Sequence, residues 1–290
     1  MILKNMDRLT VWDFPGKAGK NGRYPESYRG SFLPDMSRMA IEKYSQVGDL
    51  VMDPFAGCGT TIIEAKSLGR NSVGYEINPE GVRIANNMLK QATLQENTRL
   101  INVIKRKDSR TITKEDIKKD GKKEYVDFVL TSPPYYNNLP YSKDEEQLGT
   151  IEDYSQFLNE LNTIWTNCFN VLKEDGFMCV VVGDCRGSMK KRKINGHHGL
   201  IPLHCDIISQ CRKLGFYLWD IIIHPIYNMN SLHNFFYMRW LKQNNLQFIN
   251  HDYVLVFRKF NPHSFKYVEG KEVVSEIKRP DLEQKKKNKK

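Results

Sequence analysis

A chain of 290 residues with 40% hydrophobic content can bury one substantial core, so one catalytic domain with appended loops fits better than two full domains. The formal net charge of +10 is clustered at residues 105–107, 118–123, 190–193 and 285–290, which favours a polyanionic partner such as nucleic acid; simple solubilisation is the alternative. Six cysteines without C-x-x-C spacing exclude a zinc ribbon and a disulfide framework, and no stretch approaches the ~18 apolar residues of a membrane span, so the reading is a soluble protein of the reducing cytoplasm.

In chain order, the polar turn Gly48-Asp49 leads into an apolar strand, Leu50-Val51-Met52, that ends at Asp53. A small-residue loop follows, and a helix with apolar periodicity starts near Thr60. The logic repeats with a strand over 72–75 ending in Glu76, a helix over 79–91 and a strand over 100–104. A further strand, 127–130, delivers Thr131-Ser132-Pro133-Pro134. Alternating strands and helices predict an α/β fold with a parallel, doubly wound sheet.

Residues 154–172 have helical spacing in Phe157, Leu161, Ile164, Trp165 and Phe169, and Lys173-Glu174-Asp175-Gly176 reads as the stop before a strand over 177–182. A helix over 203–214 and strands over 216–223 and 253–258 complete the pattern, the last two as the antiparallel end of the sheet. The excursion between them, 225–250, carries Tyr227, Phe235, Phe236, Tyr237, Trp240 and Phe248, with core packing and base contact equally open. Residues 261–290 are charged and poor in apolar side chains, and are expected to form a disordered basic tail.

Two segments carry chemistry. In Asp53-Pro54-Phe55-Ala56-Gly57-Cys58-Gly59-Thr60-Thr61, two glycines let the backbone approach a ligand at the C-terminal edge of the first strand, where open α/β sheets bind ligands. Glu76, ending the second strand, is placed to accept hydrogen bonds from ribose hydroxyls. The third glycine of a dinucleotide fingerprint is missing, as is the Gly-Lys-Ser/Thr of a triphosphate loop. A turn needed only for packing is the alternative.

In Thr131-Ser132-Pro133-Pro134-Tyr135, two prolines fix φ and remove two donors, so carbonyls are presented rigidly as acceptors. An amino group on an aromatic base is a poor nucleophile because its lone pair is delocalised into the ring. Acceptors at the Ser132 side chain and the Pro133 carbonyl would hold its hydrogens and draw the nitrogen toward tetrahedral geometry. Tyr135 would stack on a base extracted from the duplex. No metal is required, and His197, His198 and His204 lack acidic or cysteine partners at ligand spacing.

Together these two segments resemble the amino-DNA methyltransferases, the N4-cytosine and N6-adenine enzymes of restriction-modification systems. The similarity runs from Val11 to Lys259 and includes Tyr28-Arg29-Gly30-Ser31-Phe32, which resembles the segment closing over the methionine end of the cofactor. The resemblance implies a Rossmann-like S-adenosylmethionine-dependent methyltransferase fold, a mostly parallel seven-stranded sheet with an antiparallel end strand. Its domain plan is an N-terminal arm over 1–27 and a catalytic domain over 28–260, with recognition loops at about 186–198 and 225–250. S-adenosyl-L-methionine is then the cofactor, contacted by Phe32, Asp53, Pro54, Phe55, Ala56, Gly57, Gly59 and Thr60. Glu76 would serve the ribose, Ile77 an adenine face and Asp108 the adenine amino group. Ser132, Pro133, Pro134 and Tyr135 form the catalytic set.

The implied partner is double-stranded DNA, with a cognate restriction endonuclease, a specificity subunit or a homodimer admitted and no membrane. Ser132 before the prolines is more typical of N4-cytosine enzymes, whereas the order of the two motifs differs from that common among small N4-cytosine enzymes. Cytosine N4 is therefore favoured, adenine N6 is the alternative, and a tRNA guanine N2-methyltransferase or a non-catalytic DNA-binding module stand behind both.

Overall fold

The computed structural model describes residues 6–14, 33–92, 100–136, 147–186, 200–226 and 235–260. All of its named elements fall within one compact unit, Met1–Lys259. The strands are β1 (Leu50–Asp53), β2 (Asn71–Glu76), β3 (Asn102–Arg106), β4 (Val126–Thr131), β5 (Leu172–Val182), β6 (Cys185–Arg186), β7 (Leu200–Ile201), β8 (Phe216–Pro225) and β9 (His251–Lys259). The helices are α1 (Pro34–Tyr44), α2 (Thr60–Ser67), α3 (Pro79–Gln91), the single turn α4 (Lys114–Asp116), α5 (Tyr154–Val171), α6 (Leu203–Lys213) and α7 (Phe235–Gln243).

Seven strands form one sheet in the order β3-β2-β1-β4-β5-β9-β8. The pairs from β3 through β5 are parallel, and β9 runs antiparallel to both of its neighbours. The antiparallel strand thus lies one place in from the edge, with β8 outermost. Central strands covered on both faces should read as continuous apolar runs, and β1 is fully buried along its length.

Alternate side chains feed two cores, as a period of two requires. Val129, Met178, Val180, Leu255 and Phe257 pack with α5 and α6 residues such as Leu161, Trp165 and Ile207. Phe128, Leu130, Cys179, Val181 and Val256 pack with Met36, Ala40 and Ile41 of α1. The described part of the N-terminal arm joins the second core through Met6, Trp12 and Phe14. Val11 bridges Ile223, and the Trp12 amide donates to the Ile223 carbonyl at 2.9 Å, so the arm runs beside β8.

Three local differences from the sequence reading stand out. Helix α1 is present between the arm and β1. Helix α5 ends at Val171 as expected, but residues 173–176 also form a bulge inside β5: Leu172 already pairs with Val126, Phe177 pairs with Phe128, and Asp175 turns the chain at φ 60. The 225–250 excursion contains α7, which buries Trp240 and Leu241 and exposes Phe236. The expected recognition loop at 186–198 falls almost wholly outside the described residues, as do residues 227–234 of the excursion and the tail over 261–290.

Candidate active site

The topology reverses between β1 and β4: from β1 the chain winds outward through β2 and β3, and from β4 it winds the other way. Such a switch point opens a crevice at the carboxyl ends of the strands. The register Met52↔Val129 sets the two ends level, so the glycine loop and the proline turn leave the sheet side by side.

Asp53 ties them together. Its Oδ1 accepts from the Phe55 amide at 2.9 Å and from the Thr131 hydroxyl at 2.7 Å, while Oδ2 accepts from the Thr61 hydroxyl at 2.6 Å. One carboxylate thereby joins β1, the first turn of α2 and the last residue of β4. Burial pushes its pKa up to about 6, with the Thr61 and Thr131 bonds working against the shift. Asp53 is buried, and its three hydrogen bonds are all to the loop, α2 and β4.

Gly57 and Gly59 take left-handed φ values of 52° and 89°. A Cβ on Gly59 would come within 2.9 Å of Ile104 Cδ1 and 3.0 Å of Ala85 Cβ, so glycine is needed there for packing as well as for the turn. The Ala56 amide donates to the Tyr75 carbonyl at 3.0 Å, which lays the loop against β2. Glu76 then accepts from the Gly57 amide at Oε2 and from the Asn78 amide at Oε1, both at 2.8 Å. Burial raises the Glu76 pKa, and these amides oppose the rise.

Other expected cofactor residues sit around the same crevice. The Pro54 carbonyl accepts from the Ser109 hydroxyl, linking the loop to the end of β3. Phe55 meets Trp165 edge to face with centroids 6.4 Å apart, Ala56 and Thr60 are buried, and Ile77 is half-buried. Asp108 reaches this edge, yet its carboxylate is engaged by Arg110, whose Nε lies 2.8 Å from Oδ2 and whose amide donates to Oδ1 at 2.9 Å. Burial works to raise the Asp108 pKa, and the bonds from Arg110 outweigh it. Phe32 and the segment over 28–31 lie outside the described residues.

On the proline side, Pro133 is buried, while Ser132, Pro134 and Tyr135 are half-buried. Tyr135 directs its hydroxyl to the Asp252 carboxylate at the start of β9. At the end of β5, Asp184 Oδ1 lies 2.7 Å from His204 Nδ1, and the His204 ring stacks on Tyr253 at a centroid distance of 4.0 Å. His204 is thus anchored by a carboxylate and a ring, and no group of metal-ligating side chains occurs among the described residues. Thr61, Thr131 and Asp252 escaped the sequence reading as functional residues. Thr131 could have been found, since a hydroxyl at the end of β4 faces the strand that ends in Asp53; Asp252 gives no local signal.

The sequence profile of the DNA methylase family, N6_N4_Mtase, matches residues 4–87 and 126–290. The chain belongs to the amino-DNA methyltransferase family. Among curated relatives, the type II methyltransferase M.MjaII of Methanocaldococcus jannaschii is 32% identical over 139 residues, 46% of this chain and 25% of that protein. M.MjaI of the same organism is 29% identical over 165 residues, 49% of this chain and 52% of that protein. This family member therefore matches a quarter to about half the length of those two relatives. A solved S-adenosylmethionine-dependent methyltransferase from Methanosarcina mazei is 14% identical, with a TM-score of 0.49 over 76% of this chain and 96% of that one. A putative DNA modification methylase from Thermus thermophilus, solved with S-adenosyl-L-methionine, is 34% identical, with a TM-score of 0.34 over 50% of this chain and 51% of that one.

The cofactor of this amino-DNA methyltransferase family member is S-adenosylmethionine, and the donor set fits it. The Glu76 carboxylate accepts from the Gly57, Asn78 and Ile77 amides and keeps acceptor capacity for a ribose hydroxyl. Ile77 offers an apolar surface beside it, and the glycine turn removes side chains from the approach.

Proposed function

We propose that the chain transfers a methyl group from S-adenosylmethionine to an exocyclic amino nitrogen of a base in double-stranded DNA, with cytosine N4 as the favoured target. The observation that carries this reading is the Asp53 clamp, which holds a loop suited to a ribose-bearing cofactor beside a turn suited to an amino group.

When bound, the cofactor supplies a methyl group made electrophilic by its sulfonium. Glu76 would hold the ribose, Ile77 would lie against the adenine, and Phe55 to Gly59 would pass along the rest. Ser132 Oγ and the Pro133 carbonyl accept the two amino hydrogens and localise the nitrogen lone pair toward the crevice. That lone pair would face the methyl group the cofactor would supply, and the amino nitrogen would give up one proton to water after transfer. Tyr135 holds the flipped base by its ring face. The basic run at 190–193 would supply phosphate contacts, which position the duplex without reading it.

The choice of cytosine rests on Ser132. The order of the motifs along the chain favours adenine N6 as the second reading. DNA from a cytoplasmic expression host, sequenced by a long-read method that reports modified bases, gives the base and its context together. N4-methylcytosine at a fixed sequence is the expected result. N6-methyladenine replaces the target, and methylation of tRNA with none of DNA overturns the reading. The same experiment with a candidate endonuclease gene present tests for a restriction partner, and sedimentation tests for a homodimer.

A further inference from the structure

The methyl-transfer reading gives Tyr135 its ring and leaves its hydroxyl without a task. Structurally that hydroxyl is committed: it donates to the carboxylate of Asp252, the second residue of β9. Asp252 pairs across the sheet with His224 of β8, and its neighbour Tyr253 pairs with Val182 at the end of β5. The register of two antiparallel ladders therefore brings this acid to the catalytic edge from a distant part of the chain.

Gly183, the residue after β5, shows how tightly the group is assembled. A Cβ at Gly183 would stand 2.6 Å from Asp252 Oδ1 and 3.0 Å from Tyr135 Cε2. Carboxylate and ring both lie over the same stretch of bare backbone, so any side chain at position 183 would displace one or the other. Behind Asp252, the imidazole of His224 lies 3.0 Å by Nδ1 from the Trp12 carbonyl, which fixes that side of the acid to the N-terminal arm. Burial raises the Asp252 pKa, and His224, the Tyr135 hydrogen bond and His251 work against the rise. A tyrosine whose only duty was to fill space would need no buried acceptor; a phenylalanine would serve.

We propose that Asp252 is a positioning residue for the methyl-transfer reaction: by accepting the Tyr135 hydroxyl against Gly183, it sets the ring plane on which the target base stacks. This rests on the proposed transfer to a flipped base, and it assigns Asp252 no contact with substrate or cofactor.

The test is a double-mutant cycle on the full chain with Tyr135→Phe, Asp252→Ala and the double variant, and with Asp252→Asn as the conservative control. Single-turnover methylation of substrate DNA, cofactor Kd and urea unfolding are measured on each. The wild-type assay alone decides the parent reading, since no transfer to DNA removes it whatever the variants do.

If Asp252 acts through Tyr135, each single variant slows transfer about tenfold. The double variant is no slower than the worse single, cofactor Kd stays within about twofold, and Asp252→Asn recovers most of the rate because its amide oxygen still accepts. The fluorescence of 2-aminopurine at the target position, which reports the unstacked base, falls in the same variants.

Multiplicative rate losses overturn the proposal while leaving methyl transfer intact. So does an Asp252→Ala variant that loses cofactor affinity and turnover in equal measure. Should Asp252→Ala fold poorly, Tyr135→Phe and Asp252→Asn carry the test. The unfolding cycle reads the bond without any activity, and additive stability losses there overturn it as well.

Discussion

The loops that leave β1 and β4 stand next to each other and are opposite in hydrogen-bonding character. The first turns through two glycines and directs its amides inward to carboxylates, the Phe55 amide to Asp53 and the Gly57 amide to Glu76. The second has two prolines and no amide to give at those positions, so it presents oxygen. In the proposed reaction the donor-rich loop would lie beside the electrophile and the acceptor-rich turn beside the nucleophile. The difference teaches that this edge of the sheet divides its labour by backbone chemistry, with Asp53 as the shared anchor.

If the division is real, the two sides should fail differently. The largest effect is expected from Ser132→Ala, which removes an acceptor used only at the amino group: single-turnover methylation falls about 100- to 1000-fold. Cofactor affinity stays within about twofold, and parallel loss of both would break the comparison.

Next is the anchor. A carboxyl raised to about 6, above an unfolded value near 3.9, costs the folded state stability as it ionises, so this contribution falls as pH rises from about 4 to about 6 and then levels. Asp53→Asn cannot ionise. Relative to wild type, the variant should gain by up to about 3 kcal/mol between pH 4 and pH 7.5 in urea unfolding, from 1.36 kcal/mol per unit. A difference independent of pH would mean that Asp53 does not carry this shift.

Glu76→Ala should then raise the cofactor Kd about 30-fold through the loss of charged hydrogen bonds, measured by calorimetry, with the rate at saturating cofactor within a few-fold of wild type. The smallest effect is expected of Gly59→Ala, which forces a side chain into left-handed backbone against Ile104 and Ala85 and costs about 1–2 kcal/mol of stability. Thermal unfolding reads it, and the proline side should keep its single-turnover rate.

The donor side was the more legible of the two in the sequence. Strand, glycine loop, helix and acid follow one another within Leu50 to Glu76, so local pattern alone placed the loop and Glu76 at one edge. The proline turn was legible as a motif, but its surroundings come from elsewhere in the chain. Asp252 reaches Tyr135 only because β9 is inserted antiparallel, and no period or spacing near residue 252 encodes that register.

Helix α1 was not read, although Met36, Ala40 and Ile41 lie on one face behind an initial proline. Helix α7 was hidden by its aromatics, which a core and a binding loop use alike. The bulge at 173–176 was read as a helix stop, which it also is; what could not be read was that Leu172 pairs before the chain turns.

The insertion of β9 also fixes the order in which the molecule can be finished. Residues 251–259 form the strand that joins β5 to β8, so during synthesis both of those edges stay open until nearly the whole sheet has left the ribosome. Open edges invite pairing with other chains, and pairing between segments so far apart in sequence is slow. A product truncated between Val182 and His251 therefore carries a complete glycine loop and an unfinished sheet, and its exposed β5 marks it for aggregation or proteolysis.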